Sequence, residues 1–246
     1  VLRGEVARGV ALPDRVDPLD CDGRVRLDGE RPVGGDVVRA DVDGVVVLHL
    51  PQMGTRHPGG DLDTPMIEAL RDALVDLPSA TPVVLDLRGN RGGFQTIGDW
   101  LAGVWLDEGT LLRTCVDRTG PGLDDVTAPR EVRVVRAPGH PVLTGPVAVI
   151  QDGLTYGGAE YLGVALKSAG RGLLVGDISS GSFGVAFATD EGELGGFVSG
   201  RACTGPGGAS LEGKPPAVDV PAAHTVEALS EGRDAVLEAA LDAVRP

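Results

Sequence analysis

The sequence predicts an α/β fold, a parallel-rich sheet flanked by helices and preceded by a small N-terminal cap or lead-in. Three observations predict it. The short runs Val45 to Leu50, Val83 to Leu87 and Pro146 to Gln151 are nearly all apolar and rich in Val, so they read as strands buried on both faces. Amphipathic helical spacing fills the intervals between them. The stretch from Pro146 to Gly176 runs strand, Gly/Thr turn, helix, strand. That is a βαβ unit with its turn at the carboxyl end of its first strand, where open α/β sheets place their chemistry.

In chain order, residues 1–42 mix Pro, Gly and alternating charges with short apolar pieces such as Val25 to Leu27, and form the cap or lead-in. Residues 43–246 form the core. Val45 to Leu50 is its first strand, interrupted by His49. Gly54 to Thr64 carries His57, Asp61 and Asp63, but Gly and Pro dominate it and it reads as a solvated loop. Pro65 to Leu77 is a helix with Thr64 as its cap and Ile67, Leu70, Leu74 and Leu77 on one face. The strand Val83 to Leu87 delivers the chain to Arg88-Gly89-Asn90-Arg91-Gly92-Gly93, and a helix starts at about Phe94. Asp86 and Arg88 read as a structural pair. Ile97 to Leu106 is helical, with Trp100 and Trp105 at core spacing. Leu111 to Val116 and Glu131 to Val135 are strands around a polar loop. His140 falls in an exposed turn.

Ala159 to Ala169 is the helix of the βαβ unit, with Leu162, Ala165 and Leu166 on one side, and Leu173 to Gly176 is its second strand. Val185 to Ala188 and Gly196 to Ser199 read as a hairpin, and His224 as exposed. Thr225 to Val244 closes the chain as one amphipathic helix.

Composition narrows the function. A net charge of −14 argues against nucleic acid, whose phosphates need basic patches. There is no run of about 18 apolar residues, so no membrane span is expected. Cys21, Cys115 and Cys203 lack metal-ligand spacing, so neither a metal nor a cofactor is expected. The three thiols read as small buried groups, at least one of them free, in a reducing compartment. A cytoplasmic location is favoured over export, although the missing initiator Met leaves a removed leader open.

Four separated motifs resemble the tail-specific (C-terminal processing) serine peptidases, on the branch with the tricorn core and the retinoid-binding-protein-like repeats. Leu154-Thr155-Tyr156-Gly157-Gly158-Ala159-Glu160, followed by a helix and Gly170-Arg171, is similar to the family's nucleophile segment. Asp86 to Gly93 resembles its Asp-Leu-Arg-x-Asn-x-Gly-Gly signature. Val47-Leu48-His49-Leu50 with Met53 resembles the segment that carries the general base. Gly205 to Val220 resembles the closing motif, with Glu212 in the place of an assisting Glu and Asp219 in that of a structural Asp.

The resemblance implies a layered fold like those of ClpP and the crotonases. Members often carry a PDZ domain before or inside the region of the first forty residues, and this stretch is read as too short for a full one, a departure from the family pattern. The resemblance also implies a site. His49 would be the base, and Gly92, Gly93 and the Gly158 N–H would form an oxyanion hole, with Thr155 and Tyr156 beside them. Gly157 stands where the family has its serine, and Ser182 where classical members have lysine. Ser180 and Ser182 are weak replacement nucleophiles, since serines in Gly-rich loops are usually turn residues. Three functions follow. One is acid/base or water-mediated chemistry on a small substrate. The second is peptidase activity through another residue. The third is non-catalytic binding of a peptide or apolar ligand. A small-molecule or peptide ligand is expected in the cleft, and a homo-oligomer is left open.

Overall fold

The computed structural model describes residues 24–54, 64–122, 124–191 and 194–245, with the backbone alone for residues 185–191 and 194–198. Strands β1 (Arg31–Gly34), β2 (Val37–Val42), β3 (Val45–His49), β4 (Val83–Asp86), β7 (Val147–Gln151), β8 (Gly172–Gly176) and β11 (Val220–Pro221) form one sheet in the order β1-β2-β3-β4-β7-β8-β11. From β3 to β11 neighbouring strands run parallel; β1 and β2 add antiparallel at the edge. The expected lead-in at 1–42 thus includes two strands of the main sheet. The loop with His57, Asp61 and Asp63 lies outside the described residues.

Helices α1 (Thr64–Leu74), α2 (Gln95–Trp105) and α3 (Gly158–Ser168) lie between successive parallel strands. The strands are laid down in one direction, and crossovers of one hand put their helices on one face. Leu70, Leu74, Ile97, Leu101, Leu162 and Leu166 accordingly share a core with Val46, Leu48, Val83, Leu85, Val147 and Val149. Each such side chain, taken fully out of water, contributes about 1.5–3 kcal/mol. The opposite face, carrying Val45, Val47, Val84, Ala148 and Ile150, is covered by Val236, Leu237, Ala240, Leu241 and Val244 of α5 (Ala235–Val244).

A second, antiparallel sheet has the order β6-β5-β10-β9, from β5 (Leu111–Asp117), β6 (Arg130–Arg133), β9 (Val185–Glu191) and β10 (Leu194–Thr204). It packs on α3 through a small core of Cys115, Tyr161, Val164, Phe183, Cys203 and Leu211.

Several details differ from the sequence reading. Cys115 and Cys203 form a disulfide; they sit directly opposite on β5 and β10, with Cα atoms 4.1 Å apart. Such bridges persist in oxidising surroundings, which argues against the reducing compartment. The terminal helix is two helices, α4 (Val226–Ser230) and α5. Gly232 (φ 70°) ends the first, and the Asp234 carboxylate caps the second by accepting from the Leu237 N–H. The helix α1 stops at Leu74 rather than Leu77, and Thr64 is its first residue. His140 packs on Trp100, ring centroids 4.6 Å apart, instead of lying free in a turn. His224 is half-buried against Arg88, 3.3 Å from its Nη1. Among the described residues, no helix is long and apolar enough to cross a membrane.

Candidate functional site

Neighbouring parallel strands β4 and β7 end at the same edge of the sheet, and their turns meet there. Asn90, fully buried, joins them. Its Nδ2 donates to the Leu50 carbonyl (2.8 Å), its Oδ1 accepts from the Gly92 N–H (2.9 Å), and its carbonyl accepts from the Tyr156 N–H (3.0 Å). Asp152 accepts from the Gly89 N–H at 3.1 Å, and Thr155 Oγ1 donates to the Leu87 carbonyl at 2.8 Å. Gly92 has φ 74°, and a Cβ there would stand 2.8 Å from the Tyr156 carbonyl oxygen, so only glycine fits the contact between the two turns.

Gly157 is the residue before α3, with φ 64° and ψ −122°. A Cβ on it would find its nearest non-local neighbour at 3.6 Å, in Gly92 Cα. The position therefore has room for a side chain, although its backbone disfavours one. Its N–H donates to the Ser182 carbonyl and to Glu160 Oε2, both at 3.0 Å. Glu160 is buried, and its carboxylate also accepts from the N–H groups of Gly181 (2.7 Å) and Ser182 (3.1 Å). It thus holds the loop 179–184 against the start of α3. Glu160 was missed as a site residue. Its position three residues into the helix, where a carboxylate reaches back to the cap, was the available signal.

A cleft of about 600 Å³ opens over this turn. Gly92, Gly93, Tyr156, Gly157, Gly158 and Ser182 line its floor side. Gly158 opens α3, so its N–H has no intrahelical acceptor. Met53 pairs with Gly93 through Gly92 O and Phe94 N, which turns the N–H of Gly93 itself away from Met53. The other wall includes Arg113 of β5, Arg130 and Val132 of β6 and Arg201 of β10. Arg113 is buried, ion-paired to Asp99, and lies over the Tyr161 ring at 4.9 Å. Burial pushes the Tyr161 hydroxyl up to about 12, so it stays protonated and donates to the Phe183 carbonyl at 2.7 Å.

The other expected site residues lie elsewhere. Thr155 is buried in the turn and does not line the cleft. Ser180 points its N–H at the Thr155 carbonyl and is also outside the cleft lining, whereas Ser182 is in it. Glu212 accepts from the Phe183 N–H at 2.8 Å and steadies the same loop without lining the cleft.

His49 is the main correction. It shares its side of β3 with Val45 and Val47, on the α5 face, because successive strand residues alternate faces. It lines a small cavity with Glu30, Asp86, Arg88 and Leu237, its Nδ1 3.9 Å from Asp86 Oδ2. The cleft lies across the sheet, on the α2 and α3 side. His49 therefore does not serve Gly157 as a base. What surrounds it is a buried ion cluster in which Arg88 bridges Asp86 (2.7 Å) and Asp234 (2.8 Å). Burial pushes the Asp86 carboxyl up, but the charge and hydrogen bonds of Arg88 outweigh it, with help from His49, and hold it below the usual carboxylate range.

Comparison with known proteins fixes the lineage. The model of peptidase family S41 matches residues 44–210. The chain belongs to peptidase family S41. Curated relatives include the carboxyl-terminal-processing protease of Picosynechococcus, 35% identical over 98 residues, covering 40% of this chain and 21% of that protein. The chloroplastic carboxyl-terminal-processing peptidase 3 of Arabidopsis thaliana is also 35% identical over 98 residues, covering 40% of this chain and 17% of that protein. The matched stretch is thus about a fifth of these relatives. Among solved structures, a candidate peptidase from Parabacteroides merdae superposes with a TM-score of 0.73 at 18% identity, over 89% of this chain and 67% of that one. The photosystem II D1 C-terminal processing protease gives a TM-score of 0.54 at 20% identity, over 78% of this chain and 47% of that one. The S41 architecture, a parallel-rich sheet between helices, is therefore shared.

Proposed function

We propose that this S41-family chain binds a ligand in the cleft over Gly157 and does not hydrolyse peptides there. The observation that carries the reading is the pairing of a side-chain-less Gly157 at the head of α3 with a His49 that faces α5. Serine-type hydrolysis needs a hydroxyl, a base and donors for the oxyanion. The N–H groups of Gly93 and Gly158 suit the last role. The hydroxyl is missing at the position the family gives to serine, and no His or Lys is among the described residues lining the cleft. Removing the nucleophile from such a unit lowers kcat on the order of 10⁶-fold. Donors of the kind that meet a developing oxyanion also suit a carbonyl or carboxylate oxygen of a bound molecule.

Peptidase activity through Ser182 is the second reading, favoured only by that residue's place in the cleft. The two separate on treating the unaltered chain with a fluorophosphonate probe. The binding reading predicts no covalent adduct. An adduct mapped to Ser182, or to any other serine, would overturn it.

A further inference from the structure

The second sheet ends in a strand whose outer edge is open. In the order β6-β5-β10-β9, β9 is terminal, and among the described residues no strand lies beyond it. Its seven residues, Val185–Glu191, pair on one side only, with β10. In an antiparallel ladder every second residue turns its N–H and C=O away from the partner strand. About half of β9 therefore aims its backbone groups outward with no strand to meet them.

The other sheet edges are guarded. β1, at one end of the main sheet, has four residues and contains Arg31 and Pro32. β11, at the other end, has two residues and finishes on Pro221. β6, the opposite edge of the second sheet, is Arg130-Glu131-Val132-Arg133. Shortness, charge and proline all discourage a sheet edge from pairing with another chain. β9 is longer than any of these, and Val185-Ala186-Phe187-Ala188-Thr189 carries neither charge nor proline. That bareness stands out in a chain of net charge −14. The carboxylates of β9, Asp190 and Glu191, are confined to its far end.

The strand behind β9 is itself short of partners. β10 pairs with β5 only from Arg201 to Thr204, but with β9 from Leu194 to Arg201. The register shifts between Ser199 and Arg201, a bulge at the point where the pairing with β5 stops. From Leu194 to Ser199 the sheet is thus a ribbon of two strands. Such a ribbon is marginal in water, where three or more strands are needed to hold.

We infer that β9 is a self-association edge: two copies join β9 to β9, antiparallel about a two-fold axis, and merge two four-stranded sheets into one of eight. The sequence suits its own copy. With the axis near Phe187 and Ala188, Asp190 and Glu191 of each copy stand across from residues 183–186 of the other, which are uncharged. Carboxylate does not oppose carboxylate. A second copy also brings a strand of the same length and an equally bare ribbon, so each gains the two strands it lacks. The inference does not rest on the ligand-binding reading above.

Sedimentation velocity of the full chain between about 1 and 300 µM tests it, and a reversible monomer–dimer equilibrium is expected in that range. A chain that stays monomeric throughout overturns the second-copy assignment and leaves the edge to a different protein. Hydrogen exchange at the two ends of the range locates the contact. Amides of β9 should gain protection on association, and those of β1 and β6 should not. A dimer that leaves β9 exchange unchanged overturns the inference as well. Ala188→Lys and Ala188→Glu each put like charges near the axis and should weaken association at least about fivefold; an equal mixture of the two should regain it. Melting curves taken where the unaltered chain is monomeric separate lost pairing from lost folding. Single variants that fold and associate as tightly as the unaltered chain overturn the assignment. If either variant fails to fold, the exchange pattern of the unaltered chain decides.

Discussion

Replacing Arg88 with alanine is expected to destabilise the fold by about 3–5 kcal/mol, because two buried carboxylates lose their shared cation. Arg88 is 3% exposed, and its partners Asp86 and Asp234 are 2% and 5% exposed. Asp86 sits at the end of β4 and Asp234 caps α5, so the bridge clamps the helix layer to the sheet. For a chain of this size the loss corresponds to a fall in Tm on the order of 10 °C. Acid should shrink the difference. The Asp86 pKa is depressed in the folded state, so its contribution is complete above the unfolded carboxylate value and fades as pH falls through the lower folded one. Urea unfolding of both proteins at pH 7 and at pH 3 checks this. A loss below about 1 kcal/mol at pH 7, typical of a surface pair, would contradict the clamp.

The second large effect is predicted for the disulfide. Cys115 and Cys203 are 88 residues apart in sequence, and a cross-link over so long a loop removes much freedom from the unfolded chain. The Cys115→Ser/Cys203→Ser double variant should lose about 2–5 kcal/mol. The loss should concentrate in the second sheet, because the bridge is a main part of the small core under α3. Hydrogen exchange should therefore rise in β5 and β10 before it rises in β4 or β7. A peptide map without reductant should contain the linked pair. Finding only unlinked Cys115 and Cys203 peptides in the natural protein would contradict the bridge.

Much of the main sheet was legible in the sequence, since its strands are short apolar runs and each helix has its own periodic stripe. The turn at Gly92 and the turn at Gly157 were also legible, from Gly clusters placed just after strands. Which face His49 occupies was not. In Val45-Val46-Val47-Leu48-His49-Leu50 both faces are apolar, so alternation marks no inside. The face is decided only when α5 takes one side and α1 to α3 take the other. The disulfide was hidden for a similar reason. Two cysteines so far apart meet only through the β5–β10 register, and that register is a tertiary fact. By contrast, the break between α4 and α5 had a readable signal in Gly232 followed by Asp234, a stop and then a cap. The three arginines of the cleft wall lie on three different strands, so nothing local in the sequence unites them.

Placing a hydroxyl at position 157 probes the cleft most directly. Gly157→Ser has room for its side chain, at a backbone strain of about 1–3 kcal/mol. Peptide cleavage should be followed under single-turnover conditions by mass spectrometry, alongside fluorophosphonate labelling. The account predicts a folded variant that neither cleaves nor labels, because the imidazole of His49 lies behind the sheet. Cleavage by Gly157→Ser, abolished when His49→Ala is added, would contradict it.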